Sequence, residues 1–196
     1  MKFKIAMILS MVVLCLSAWA SKPDVAKTQK LTLEQNIATP QVKSSQRSSL
    51  QKRMNGIVDY FKQRNLAAEL VRNGEVVLVT IPASAVFPPN GASIGYEAGK
   101  LFDNFGDAIK KGDEFRLVVA VYTDDTGDAT YSKQLTDKRI EALKNAFGAT
   151  ASIVGVVNPN INYYSMGNTS MKYPNSTIEG RALNRRIEVY VIPENP

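Results

Sequence analysis

Histidine is absent from the 196 residues, and cysteine and tryptophan occur once each. Without histidine the chain has no imidazole to act as a general base near neutral pH, to orient a nucleophile, or to ligate a metal. Cys15 and Trp19 both fall in the first twenty residues, which also hold Lys2, Lys4, an apolar run over 5–16, and alanines at 18 and 20 before Ser21. This is the pattern of a cleaved secretory signal, and the run is shorter than the ~20 residues of a spanning helix. Leu14 precedes Cys15, where a lipid-attachment motif wants a small residue, so a soluble mature chain with no spanning segment is expected. Removal of residues 1–20 leaves no thiol, which excludes disulfides and thiolate chemistry. No cofactor or metal is expected, and no carboxylate pair stands in a context that supports acid–base work, so the chain reads as a non-enzyme.

Charge of either sign is modest. The chain has 24 Lys and Arg against 18 Asp and Glu; without Lys2 and Lys4 the balance is 22 to 18, or +4. No arginine-rich stripe interleaved with aromatics is present, so nucleic acid is not an expected partner.

Residues 21–45 are rich in Lys, Gln, Ser and Thr with few large apolar side chains, and are expected to form a flexible tether. Residues 46–74 read as an N-terminal helix and the first strand of a hairpin. Leu50, Met54, Ile57, Val58 and Phe61 make one helical stripe, and residues 67–71 and 75–81 flank Arg72, Asn73 and Gly74, a turn signal. A second stripe, Ile94, Ala98, Leu101, Phe102, Phe105 and Ile109, ends at Gly112. Residues 115–122 form an apolar, β-branched run suited to a buried strand. The spacing predicts a helix over 129–147 stopped by Gly148, a short strand over 151–157, a long polar loop over 158–175, and a strand over 186–192 with Ile187, Val189 and Val191 inward and Glu188 and Tyr190 outward. Strands alternating with helices give an α/β (α+β) two-layer sandwich.

The chemistry concentrates at the end of the 115–122 strand, in Tyr122, Thr123, Asp124, Asp125, Thr126 and Gly127, followed by Arg139. Arg139 lies four residues after Leu135 and three before Ala142, beside the core stripe of its helix, where a charge needs a partner. Asp124, at a strand exit, is the nearest candidate. The two form either an internal ion pair or the two poles of a site for a zwitterion.

These residues, with Leu135 to Arg139 on one helix and the later run Glu179, Gly180, Arg181, Ala182, Leu183, Asn184, Arg185, Arg186, resemble the OmpA-like carboxy-terminal domain, the peptidoglycan-associated module of Gram-negative envelopes. The earlier run from Thr80 to Phe87, with Asn90 and Ala92, is similar to that family's first strand and loop. The resemblance spans roughly residues 75–192, within one domain taken as 75–196, and implies a βαβαβ core with a mixed sheet. It implies non-covalent binding of the diaminopimelate of peptidoglycan stem peptides, with Asp124 on the ammonium and Arg139 on the carboxylate. It further implies loop contacts from Thr123 and Thr126, a polar contact from Asn90, and basic residues at the pocket edge, Arg185 and Arg186. The implied location is the periplasm, beside the wall or outer membrane, with an envelope protein reached through the N-terminal region. The alternative is an envelope scaffold that kept the fold and lost the ligand. Val121 stands where the family places glycine, a position from which it would narrow the pocket floor, Ser132 replaces an Asn, and residues 158–174 form a longer segment placed to cover the pocket.

Overall fold

The computed structural model describes residues 25–39 and 41–194; the signal expected over 1–20 lies outside them. Five strands form one mixed sheet in the order β1-β2-β5-β3-β4: β1 Ala67–Val71, β2 Val76–Pro82, β3 Phe115–Tyr122, β4 Ile161–Gly167 and β5 Arg186–Pro193. The β1-β2, β2-β5 and β5-β3 pairings are antiparallel and β3-β4 is parallel. The expected class, a mixed-sheet α/β sandwich, is the one observed.

One face of the sheet carries the main core. Helix α2, Ser44–Lys62, buries the expected stripe of Leu50, Met54, Val58 and Phe61 on it, and α5, Ala129–Ile153, adds Ile140, Leu143 and Phe147. The stripe expected over 94–109 is helical in short pieces: α3 Tyr96–Gly99, a tighter 3-10 turn Lys100–Phe105, and α4 Gly106–Lys110. Its Phe102 and Phe105 close on Phe147 with ring centroids 4.9 and 5.5 Å apart, and Phe105 meets Phe61 at 4.9 Å. These edge and tilted contacts tie the α2, 100–105 and α5 segments together.

Several expectations differ from the structure. The segment read as a tether contains α1, Val25–Asn36. Its Leu33, with Ile37 just beyond, is buried against Val76, Leu78, Val118, Ala120, Tyr122, Met166, Tyr190 and Ile192 on the second sheet face, so the few apolar residues present suffice because a surface was waiting for them. Arg116 reinforces the contact by donating to the backbone carbonyls of Asn36 and Ala38. Consequently β5 is buried on both faces, and Glu188 and Tyr190, expected to face outward, are covered.

The helix expected to stop at Gly148 continues to Ile153. It ends at Gly155, whose φ of 77° lets the backbone turn left-handed. Val156 N–H then bonds to Ala151 O at 2.8 Å and Gly155 N–H to Ser152 O at 3.1 Å, the paired bonds of a Schellman cap. The strand expected over 151–157 therefore does not form. The strand lies in the segment read as a loop, β4, with Ile161 and Tyr163 toward the main core and Tyr164 and Met166 toward the second.

Candidate functional site

The site lies where β2 and β3 end and β5 begins. Pro82 and Arg186 are register partners there, and Ala83 N–H donates to Arg185 O at 2.9 Å, joining the loop after β2 to the start of β5. The loop folds back as Phe87 N–H bonds to Ala83 O at 2.8 Å, with Val86 and Phe87 buried beneath it. On the other side, Thr123 N–H bonds to Gly167 O at 2.8 Å, so the end of β4 fixes the exit of β3. A β-bulge between Val121 and Tyr122 skips Met166 in the pairing at this point and aims the following residues out of the sheet.

Between the two loops and α5 is a cavity of about 580 Å³. Asp124, Arg139 and Arg185 are the charged residues among its lining, which also includes Asn90, Thr123 and Thr126. Six of the seven residues singled out in the sequence thus converge on one concavity. Arg186 does not: its side chain points to the second face, stacks over Tyr122 at 3.9 Å, and bonds Glu188 Oε1 at 2.8 Å. Adjacent residues on a strand face opposite ways, so only Arg185 of this pair reaches the pocket.

Asp124 and Arg139 are each almost fully buried, at 3% exposure, yet are not paired with each other. Asp124 Oδ1 accepts the Thr126 N–H at 3.1 Å, which shapes the turn, and Oδ2 accepts from Arg185 Nη1. The internal pair that spacing allowed is replaced by an Asp124–Arg185 pair whose arginine side chain is 39% exposed. Arg139 donates Nε–H to Gly91 O at 2.9 Å and lies 4.9 Å from the Phe87 ring centroid. Its Nη1 is buried with no hydrogen-bond partner. Burial, the largest influence, lowers its pKa below the ordinary guanidinium value; the group nonetheless stays protonated. A buried cation with an unbonded donor, beside an aromatic face and open to a cavity, suits an incoming carboxylate.

The pocket is open past two departures from the family pattern, Val121 and the 158–174 segment. Val121 is buried in the main core, and no residue of 158–174 is among those lining the cavity. Two residues quoted in the sequence motif without a role, Asn184 and Gly180, fix the 178–184 helix against residues 172–175. Asn184 is fully buried and holds residues 172–175: its Oδ1 accepts from Lys172 and Tyr173 N–H at 3.0 and 3.1 Å, and Nδ2 donates to Tyr173 O and Asn175 Oδ1 at 2.8 and 2.9 Å. Gly180 lies in helix α6, Ile178–Asn184, capped by the Thr177 side chain. An added Cβ there would meet Pro174 O at 1.9 Å. Thr177 ahead of an Ala-Leu pair was the readable signal for this helix.

No family model matches the chain. It is 24% identical over 132 residues to the probable lipoprotein YiaD of Escherichia coli, covering 67% of this chain and 58% of that relative, so it spans little more than half of that relative's length. Among solved structures, a putative MotB-like protein from Desulfovibrio vulgaris superposes with a TM-score of 0.61 at 19% identity, over 74% of this chain and 94% of that one. The cell wall anchor of the T6SS from Pseudomonas aeruginosa superposes at 0.56 with 26% identity, over 72% and 96%. The fold expected from the sequence motifs is shared with these two solved structures.

Proposed function

We propose that this chain binds peptidoglycan non-covalently in the Gram-negative envelope, gripping the diaminopimelate of stem peptides between Asp124 and Arg139, and that it does no bond-breaking chemistry. The observation that carries this reading is the Arg139 guanidinium, buried in the pocket wall with Nη1 unbonded and no carboxylate of the described residues as its ion-pair partner. A protein does not gain stability from a buried, unpaired cation. A ligand carboxylate would supply the missing acceptor, while Asp124 offers the negative pole for the ammonium of the same amino-acid centre. Two charge-assisted contacts of about 1.5–3 kcal/mol each, offset by ordering and desolvation, describe a weak and reversible attachment.

The likeness to a cell wall anchor and to a probable lipoprotein supports an envelope location, in the periplasm beside the wall or outer membrane. Among the described residues no helix is long and apolar enough to cross a membrane. The apolar stripe of α2 is taken up by the core, so a protein partner reached through the N-terminal region would meet the outer face of α1, where Leu31 is exposed, and the polar outer face of α2.

Co-sedimentation with purified diaminopimelate-type sacculi tests the site. The wild type is expected to pellet, and Asp124→Ala and Arg139→Ala each to stay in the supernatant with native circular dichroism. Wild-type retention by both variants rejects it. Sacculi amidated at the diaminopimelate carboxylate should fail to retain the wild type, because the group assigned to Arg139 is gone.

A further inference from the structure

The charges lining the pocket do not balance. Two guanidinium groups, Arg139 and Arg185, face one carboxylate, Asp124. Both Asp124 oxygens already accept hydrogen bonds, Oδ1 from the Thr126 N–H and Oδ2 from Arg185 Nη1. An ammonium arriving at Asp124 must share an oxygen that the Thr126 N–H or Arg185 already holds. A ligand that brings only a zwitterion therefore adds no net charge and leaves a guanidinium short of its counter-charge.

Resting on the peptidoglycan reading, we propose that Arg185 reads a second carboxylate on the bound ligand, so that the site prefers an amino-acid centre accompanied by an additional negative group over a neutral zwitterion. The side chain has the freedom this requires. It is 39% exposed at the pocket rim, whereas Asp124 and Arg139 are buried. Its backbone is fixed, because Arg185 O accepts the Ala83 N–H, Arg185 N–H bonds to Arg181 O at 3.1 Å, and the preceding Asn184 is bound on four sides. The guanidinium thus pivots on an anchored stem. Arg185 also acts on Arg139 as a like charge that lowers its pKa, behind burial and the opposing influence of Tyr131 but ahead of the opposing one of Asp124. The pocket, taken with its own acid, remains electropositive, and a second ligand carboxylate would relieve that excess.

Isothermal titration with two soluble probes tests the assignment. One is a stem tripeptide of alanine, glutamate and diaminopimelate with all carboxylates free; the other has every carboxylate outside the zwitterionic centre amidated. Wild type should bind the free peptide about ten-fold more tightly than the amidated one, the scale of one charge-assisted contact. Arg185→Gln should bind the two within a factor of about two, while Arg185→Lys should restore part of the preference by returning the charge without the planar fork. Melting curves establish that each variant is folded. Equal affinity of wild type for both peptides overturns the role of Arg185 and leaves the zwitterion site standing. Tighter binding of both peptides by Arg185→Gln also overturns it, because Arg185 would then be only an internal occupant of Asp124. Binding of neither peptide by the wild type removes the peptidoglycan reading itself, and this inference with it.

Discussion

Arg139 presents the clearest conflict between stability and use at the level of a single side chain. A cation at 3% exposure with an unbonded Nη1 is a burden on the folded state, and an unbranched apolar side chain of similar length removes that burden. Arg139→Met is expected to melt at or above the wild-type temperature while losing retention by sacculi; a melting temperature several degrees lower would show that Arg139 is structural. Asp124→Asn should have a small effect on stability, about 1 kcal/mol or less, because its ion-pair partner is partly solvated and an amide oxygen can still accept the Thr126 N–H. The positions of Asp124 and Arg139 were legible because a strand exit and the following helix place them by local rules. That Asp124 pairs with Arg185 was not, since the two are 61 residues apart and only the sheet order brings them together. Arg186 was misplaced for a simpler reason: neighbouring strand residues alternate sides, and a motif containing both arginines does not say which one faces the pocket.

Element boundaries turned on which glycine does what. Gly148 has no atom within 4 Å of an added Cβ and sits inside α5, so its presence lowers helix propensity without ending the helix. Gly148→Ala is expected to stabilise the protein by about 0.5–1 kcal/mol in urea titrations. Gly155→Ala should do the reverse by about 1 kcal/mol, since only Gly155 has the left-handed φ, at 77°. Equal responses at the two positions would contradict the assigned end of α5. Gly180→Ala is expected to be more damaging than either, because the contact at 1.9 Å is with backbone rather than a movable side chain. Strand β4 was hidden by composition: Asn162, Tyr163, Tyr164 and Ser165 look like a polar loop until their alternation between two buried faces is known.

The molecule as a whole is organised by a sheet covered on both sides, which sequence periodicity alone could not reveal for β5, where Glu188 looks like a solvent-facing residue. Glu188 is instead buried with Arg186, Lys172 and Tyr190 around its carboxylate. Burial alone would raise its pKa, but Arg186, Lys172 and Tyr190 together hold it below the usual 4.5. A carboxyl depressed in the folded state contributes stability that is complete above its unfolded value and is lost as pH falls through the folded one. Unfolding free energy should therefore decline below about pH 4.5, and less steeply for Glu188→Gln, where this titration is absent. At neutral pH that variant should be less stable by about 3–5 kcal/mol, because Arg186 would be left buried without its counter-charge. An unchanged acid slope would remove Glu188 from the account.

Helix α1 has a practical consequence for anyone cutting this chain down to its recognisable domain. A fragment starting at residue 41 keeps all five strands and every pocket residue, but strips the cover formed by Leu33 and Ile37 from an apolar floor of Val76, Leu78, Val118 and Ile192. Such a fragment should still fold and should self-associate during storage, whereas one starting at residue 25 should stay monodisperse in light scattering.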